Sequence, residues 1–285
     1  MRNKYLNNNL SEGVIAPTRT NYIQAGTGTP VILAHGLAAS LHDWDELMPE
    51  LAAREHACYA LDLLGHGESP KPEDLEQYTG NSIFKHMAEW IDTLTLDEPA
   101  ILIGHSLGGY VSLQYALQYP ERVRALILAN PFYTQSQLPQ ILRLFLRRPL
   151  LNSAVIKSTP YWFFRLLVDA SSLQFGNSQI GRSKEITHCL PENVRIQTAL
   201  DYKRAAPGIY NIPRTVHELA LSNIRQPTLV IWGAHDQTID PKTFPLLVEN
   251  LPNARGEVMP FCGHVPHQCH ANEFNKKVFD FINAL

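Results

Sequence analysis

Strand-like and helix-like segments alternate along residues 21–130, and this alternation limits the folds that the chain can adopt. Short apolar and β-branched runs predict buried strands, over residues 31–34, 56–61, 100–103 and 125–129. Longer segments with the apolar spacing of helices separate them, at residues 44–53, 82–94 and 107–118. Since helical connections leave successive strands parallel, we expect a mostly parallel sheet with helices on both faces.

The alternation stops at Pro131 and resumes at Pro227. Between them the chain has helical patterns punctuated by prolines, without strand signals. Strand patterns return at 228–232 and 255–259, and helical patterns at 241–249 and 272–282. A sheet that is interrupted and then resumed indicates an insertion. We therefore predict one α/β core, residues 1–130 and 224–285, with a helical cap inserted at 131–223.

The segment Gly104-His105-Ser106-Leu107-Gly108 fits the Gly-x-Ser-x-Gly pattern. It lies between a predicted strand and a predicted helix, where a tight turn would expose Ser106 at the carboxyl end of the strand. A serine hydroxyl becomes a good nucleophile when a base takes its proton and a third group orients the base. The pattern therefore predicts that Ser106 is a nucleophile with a histidine and a carboxylate near it.

Asp236 and His264 are the candidates for those two partners. Each follows a predicted strand, and the carboxyl ends of strands are where α/β sheets place their sites. The chain order of serine, acid and histidine is also the order expected for this kind of turn. We predict the catalytic residues Ser106, Asp236 and His264.

Five segments, taken in order, resemble the α/β-hydrolase family from about residue 22 to the C-terminus. They are His35-Gly36-Leu37-Ala38-Ala39-Ser40 with Trp44, Asp62-Leu63-Leu64-Gly65-His66-Gly67-Glu68-Ser69, the Ser106 segment through Gly109, Trp232-Gly233-Ala234-His235-Asp236, and Gly263-His264. The resemblance implies the same three catalytic residues and a helical cap over the site. It also implies an oxyanion hole formed by the backbone N–H groups of Leu37 and Leu107.

Some members of this family place the acid directly after the strand that ends here at Ala129. That position holds Asn130-Pro131, without a carboxylate, which favours Asp236 as the acid. Asp240 is the nearest alternative. Three further histidines are expected to shape loops through hydrogen bonds: His35, His66 and His105.

An activated serine beside an oxyanion hole performs acyl transfer to water. We therefore expect a carboxylic ester hydrolase with a small-to-medium apolar substrate. The closest alternative is a carbon–carbon hydrolase of ring-cleavage products, although that group tends to have Asn before the serine and Trp after the histidine. This chain has His105 and Val265 there. Thioesterase, lactonase and perhydrolase activities share the same residues, and a hydrolase-fold signalling receptor is the non-enzymatic alternative.

The cap of such proteins usually determines the substrate. We expect Phe132, Tyr133 and Trp162, with Val265 beside the histidine, to line the substrate site. Two cap segments, 138–151 and 161–168, mix apolar residues with arginines, as ordinary amphipathic helices do. The alternative for these segments is docking at a lipid surface through their arginines, without stable membrane insertion.

Several other functions are disfavoured. Residues Cys262, His264, His267, Cys269 and His270 are dense in metal-ligand types, but no second cluster matches them, so we expect neither a metal nor another cofactor. Gly26-Thr27-Gly28 lacks the third glycine of a dinucleotide site, and the net charge of −3 does not favour nucleic acid. Four scattered cysteines and the lack of a signal-peptide pattern predict reduced thiols in the cytoplasm.

The net charge is unevenly distributed along the chain. Eleven Lys and Arg against five Asp and Glu between Phe132 and Ser222 give this part +6, which leaves −9 elsewhere.

If the opposite charges help to seat the cap over a substrate, high salt should alter KM more than kcat, because salt screens exposed charges. Steady-state kinetics at increasing NaCl concentration would test this. Activity that is independent of salt would contradict it.

Overall fold

A computed structural model of the chain describes residues 11–15, 19–72, 75–138, 140, 143, 158–175, 186–188, 190–205, 212–215 and 218–285. The described strands are β1 (Ser11–Ile15), β2 (Thr20–Ala25), β3 (Thr29–Ala34), β4 (His56–Leu61), β5 (Ala100–His105), β6 (Val123–Ala129), β7 (Leu173–Phe175), β8 (Ile186–His188), β9 (Thr228–Gly233) and β10 (Ala254–Met259). Eight of them form the central sheet, in the order β1-β2-β4-β3-β5-β6-β9-β10.

Six strands of the large sheet, from β4 to β10 across its width, pair in parallel. The edge strands β1 and β2 pair antiparallel with their neighbours. The described helices are α1 (Met48–Ala52), α2 (Gly80–Thr93), α3 (Leu107–Gln118), α4 (Tyr161–Ser171), α5 (Glu192–Ala205), α6 (Phe244–Asn250), α7 (Pro266–Cys269) and α8 (Ala271–Ile282). The predicted fold class, a mostly parallel sheet flanked by helices, is confirmed. 

The core lies on both faces of the sheet because successive side chains of a strand point to opposite sides. Along β5, Ile101 and Ile103 pack in the cluster that contains residues of α1 and α8. Leu102 packs on the other face, in the cluster that contains residues of α2, α3 and α6. These three β5 side chains are 1% exposed or less, so burial on both faces fixes the strand whose carboxyl end leads into Ser106.

The segment between β6 and β9, called the insertion below, contains the helices α4 and α5. They pack together around a small apolar cluster of Phe164, Val168 and Ala199, with Tyr202 against it. Two short strands, β7 and β8, pair antiparallel there, so the expectation of a segment without strands is wrong. Strands of three residues are too short for a periodic pattern to reveal them. Most of the predicted segment 138–151 lies outside the described residues.

Two arginines of the insertion pair with carboxylates of the same segment. Arg165 lies 2.9 Å from Asp169 and 3.8 Å from Glu192, and Arg195 also pairs with Asp169. Arg165 and Arg195 therefore have carboxylate partners within the insertion.

Cysteine chemistry differs from the sequence expectation at one position. Cys58 and Cys262 are free and buried, and burial raises the pKa of each thiol to about 12. Cys269 is disulfide-bonded, which contradicts the prediction that all four thiols are reduced. Cys189 lies outside the described residues. Among the helices that the structure describes, none has the length and apolar character needed to cross a bilayer.

Candidate active site

Ser106 lies in a strained turn between β5 and α3. Its φ of 49° is in the left-handed region, which residues with a Cβ rarely adopt. Two backbone hydrogen bonds hold it there: the Ser106 N–H donates to the Ala129 carbonyl at 3.0 Å, and the Phe132 N–H donates to the Ser106 carbonyl at 2.9 Å. The turn therefore depends on the end of β6 and the residues that follow it.

The flanking glycines allow the chain to pass closely through this turn. A Cβ at Gly104 would lie 2.4 Å from the Gly108 carbonyl oxygen, and a Cβ at Gly108 would lie 2.0 Å from the Ala34 carbonyl oxygen. Both distances are shorter than van der Waals contact with backbone atoms that cannot move aside. Glycine is required at both positions so that α3 can begin directly above β5 and β3.

His264 bridges Ser106 and Asp236. Its Nδ1 lies 2.7 Å from Asp236 Oδ2, and its Nε2 lies 3.2 Å from Ser106 Oγ. Because a carboxylate oxygen only accepts, Nδ1–H donates to Asp236 and Nε2 is left as the acceptor for the serine hydroxyl. All three side chains are buried, with 5–7% of each residue exposed. The structure thus brings the three predicted residues into one hydrogen-bonded row, which runs from Ser106 through His264 to Asp236 and is called the serine row below.

Asp236 is held as a carboxylate by its partners. Burial by itself would raise its pKa, but His264 and hydrogen bonds from the Ile239 N–H and Asn130 lower the pKa below its ordinary value. Its Oδ1 accepts from the N–H groups of Thr238 at 2.7 Å and Ile239 at 3.0 Å. Its Oδ2 accepts from His264 and from Asn130.

Asn130 joins the loops that carry the acid and the histidine, a role that sequence reasoning missed. Its Nδ2 donates to Asp236 Oδ2 at 2.7 Å and lies 3.4 Å from the Gly263 carbonyl oxygen, while its Oδ1 accepts from the Gly233 N–H at 3.3 Å. Asn130 has a φ of 41°, which asparagine tolerates better than most residues. The available signal in the sequence is a polar residue directly after the carboxyl end of a strand.

The loop after β3 passes beside Ser106. A Cβ at Gly36 would lie 3.2 Å from Ser106 Cβ, so the loop approaches the serine closely. His35 fixes its shape, since Nε2 accepts from the Leu63 N–H at 3.0 Å and Nδ1 donates to the Gly36 carbonyl at 2.7 Å. Leu37 follows in this loop, and Leu107 is the first residue of α3, where a helix leaves its N–H groups without intrahelical partners.

The four residues expected to line the substrate site lie in different surroundings. Phe132 follows β6 and is hydrogen-bonded to Ser106 through its backbone, and Val265 directly follows His264; both are at least nine-tenths buried. Tyr133 is buried in the core, where its hydroxyl donates to the Thr243 carbonyl at 2.7 Å. Trp162 lies on α4 with 61% of its surface exposed.

Tyr202 of α5 was not singled out by the sequence, although it lies near Asp236. Burial first, and then the charge of Asp236, raise the pKa of Tyr202 to about 12. Its ring also lies 6.2 Å from that of Phe164. The charge of Asp236 therefore reaches a side chain of the insertion.

The alternative acid and two of the loop histidines make contacts of other kinds. Asp240 is exposed and caps a short 3-10 helix, where its Oδ1 accepts from the Lys242 N–H at 3.0 Å. His66 Nδ1 donates to the Leu64 carbonyl at 2.9 Å. His105 Nε2 lies 2.9 Å from the His264 carbonyl oxygen, and burial lowers the pKa of His105 to about 4, so its ring is neutral at physiological pH.

Comparisons with known proteins agree with this architecture. A sequence model of the alpha/beta hydrolase fold family matches residues 29–268. The chain is 29% identical to a 2-hydroxymuconate semialdehyde hydrolase of Pseudomonas sp. (strain CF600), over 95% of this chain and 93% of the relative. It is 25% identical to a 2-hydroxy-6-oxo-6-(2'-aminophenyl)hexa-2,4-dienoic acid hydrolase of Metapseudomonas resinovorans, over 93% and 87%. The fold is also similar to that of an esterase from Thermogutta terrifontis, with a TM-score of 0.73, 22% identity, and coverage of 97% and 98%.

The lowered pKa of Asp236 predicts how the free energy of unfolding changes in acid. A carboxyl whose pKa in the folded state lies below the ordinary value of 3.8 stabilises the fold above that pH, and this contribution is lost as the pH falls through the folded-state pKa. The difference in the free energy of unfolding between the wild type and Asp236→Asn should therefore be steady near pH 5 and shrink below about pH 4. Urea titrations at a series of pH values measure it.

Asp240→Asn is the matched control, because Asp240 lies in the same loop region but is exposed. A wild-type advantage over Asp236→Asn that stays constant into strong acid would contradict the prediction.

Proposed function

This chain belongs to the α/β hydrolase fold family, and we propose that it is a serine hydrolase in which Ser106 forms a covalent acyl-enzyme. The observation that carries the proposal is the buried row from Ser106 Oγ through His264 to Asp236, with separations of 3.2 and 2.7 Å. Such a row supplies what a serine needs to become a nucleophile, a base within reach and a third group that orients the base.

The proposed reaction follows from the hydrogen bonds of His264. Nε2 takes the proton of Ser106 while Oγ attacks the carbonyl carbon, and the imidazolium that forms is stabilised by Asp236. His264 then protonates the leaving group as the tetrahedral intermediate collapses to the acyl-enzyme. A water molecule next gives its proton to Nε2 and attacks the acyl carbon, and Ser106 leaves with the proton from His264.

The negative charge of the tetrahedral intermediate needs donors beside Ser106. We assign this role to the backbone N–H groups of Leu107 and Leu37. The start of α3 at Leu107 and the close passage of the Gly36 loop support the assignment. Removing one such donor typically slows turnover by about 100- to 1,000-fold.

The proposed substrate is a small-to-medium apolar carboxylic ester, with the insertion acting as a cap over the site. Phe132 is hydrogen-bonded to Ser106 through its backbone, and Val265 directly follows His264 in the chain. Tyr202 of the insertion is within reach of the charge of Asp236. Tyr133 and Trp162 contribute less to this proposal, because the first is held in the core and the second is exposed.

A second candidate activity is supported by the names of the relatives. The two relatives are named for 2-hydroxymuconate semialdehyde and for 2-hydroxy-6-oxo-6-(2'-aminophenyl)hexa-2,4-dienoic acid. Neither compound contains an ester, so its hydrolysis breaks a carbon–carbon bond. The same serine row serves that reaction. The residues next to the row favour ester cleavage, since His105 and Val265 stand where ring-cleavage hydrolases tend to have Asn and Trp.

Labelling with a fluorophosphonate probe tests the nucleophile. The probe should modify one serine of the wild type, and Ser106→Ala should abolish both the labelling and the turnover, the latter by about 10⁶-fold if the row works as a unit. Gel fluorescence and peptide mass spectrometry measure the labelled site. Ser112→Ala is the control, since Ser112 lies in α3 with its hydroxyl donating to the Gly108 carbonyl at 2.8 Å. Labelling that survives Ser106→Ala would rule the proposal out.

A substrate panel separates the two candidate reactions. We expect p-nitrophenyl esters of graded acyl length to be cleaved with a higher kcat/KM than a vinylogous 1,5-diketone, and the chain-length profile to report the size of the acyl pocket. Preferential cleavage of the diketone would instead identify the carbon–carbon hydrolase and overturn the ester assignment.

A further inference from the structure

Three side chains of metal-ligand type meet behind Ser106, and the proposed reaction does not use them. Asp43 comes from a 3-10 helix, Leu41–Trp44, while His105 ends β5 and His267 lies in α7. One ligand atom from each of the three residues lies within 4.8 Å of the other two. The histidines are 3% and 1% exposed, and the Asp43 side chain is 10% exposed.

Hydrogen bonds elsewhere determine which atoms of this cluster carry lone pairs. The His264 carbonyl oxygen only accepts, so His105 Nε2–H donates to it, and the Nδ1 of the neutral ring is a bare acceptor. The Gln268 amide nitrogen only donates, so His267 Nε2, at 3.4 Å from it, is an acceptor too. With the Asp43 carboxylate, three atoms that carry lone pairs therefore lie close together.

The atoms of the cluster lie farther apart than hydrogen-bonded atoms do. His105 Nδ1 and His267 Nε2 each lie 3.6 Å from Asp43 Oδ2, which is too long for a hydrogen bond. Neither Asp43 Oδ2 nor His105 Nδ1 has a hydrogen-bond partner among the described residues. Ligand bonds of about 2.0–2.1 Å in a tetrahedral zinc site place the ligand atoms roughly 3.4 Å apart, close to the observed separation.

The surroundings of the cluster are also those of a metal site. Gln268 Nε2 donates to the other Asp43 oxygen at 2.7 Å, and the carbonyl of His264 orients His105. Ligating carboxylates and histidines are usually fixed by such outer hydrogen bonds. A Cβ at Gly36 would lie 2.7 Å from His105 Nδ1, so a residue with a side chain does not fit beside this atom.

We propose that Asp43, His105 and His267 bind one divalent transition-metal ion of the zinc class. Two imidazoles and a carboxylate suit such ions, and water would complete the coordination. The ion would cross-link three segments that are distant in the chain. One precedes the nucleophile, a second contains His267, three residues after His264, and the third follows the Leu37 loop. Its role is therefore to hold the active-site loops together, without contact with the substrate.

Cobalt titration of the metal-stripped full-length protein tests the proposal. We expect one equivalent of Co²⁺ to bind with the visible absorption of a tetrahedral nitrogen and oxygen site, and Zn²⁺ to displace it and to raise Tm. Asp43→Asn and His267→Gln should each weaken binding by at least about 100-fold. Asp45→Asn and His42→Gln are matched controls close to Asp43 in the chain, since their side chains are 43% and 72% exposed and should leave binding unchanged.

Circular dichroism shows whether each variant is folded, and anomalous diffraction from wild-type crystals soaked in Zn²⁺ locates the ion without any variant. An anomalous peak between the three side chains supports the site. The proposal is overturned if the wild type binds no Co²⁺, if folded Asp43→Asn and His267→Gln bind as the wild type does, or if the peak lies elsewhere. In that event, a buried water or a protonated histidine satisfies Asp43.

Discussion

The left-handed backbone of Ser106 is the constraint on which the rest of the site depends. Such a conformation costs on the order of 1–3 kcal/mol and persists only where its surroundings hold it. Here the Ala129 carbonyl and the Phe132 N–H hold it from one side, and the close approach of β3 at Gly108 holds it from the other. The buried centre of the sheet therefore determines where the serine oxygen lies.

The acid and the histidine reach the serine because their two loops are joined to each other. The His235 N–H donates to the Cys262 carbonyl at 2.9 Å, and a Cβ at Gly233 would lie 2.1 Å from the Gly263 carbonyl oxygen. Asn130 then joins both loops to the end of β6. A shift of any one of these three strand ends would lengthen the contact between His264 and Ser106, so the geometry of the row is a property of the whole sheet edge.

The sequence predicts the parts of this arrangement that rest on local patterns. The strands at 56–61 and 100–103, the α3 helix and the positions of Ser106, Asp236 and His264 follow from apolar periodicity and from residues placed after strand ends. Strands β1 and β2 lack a strong pattern because they form an edge of the sheet. The contacts of Asn130, Tyr202 and the Asp43 cluster could not be predicted, since each joins residues that are distant in the chain. The disulfide at Cys269 was missed because spacing alone does not reveal pairing.

Direct observation of the acyl-enzyme tests whether Ser106 is the nucleophile. The protein is mixed with a p-nitrophenyl ester, quenched in acid within the first turnover, and its intact mass and peptides are measured by mass spectrometry. We expect the mass of one acyl group on the peptide that contains Ser106, and none on the same peptide of Ser106→Ala. Turnover of the ester with no acyl group on Ser106, or with the group on another residue, would contradict it.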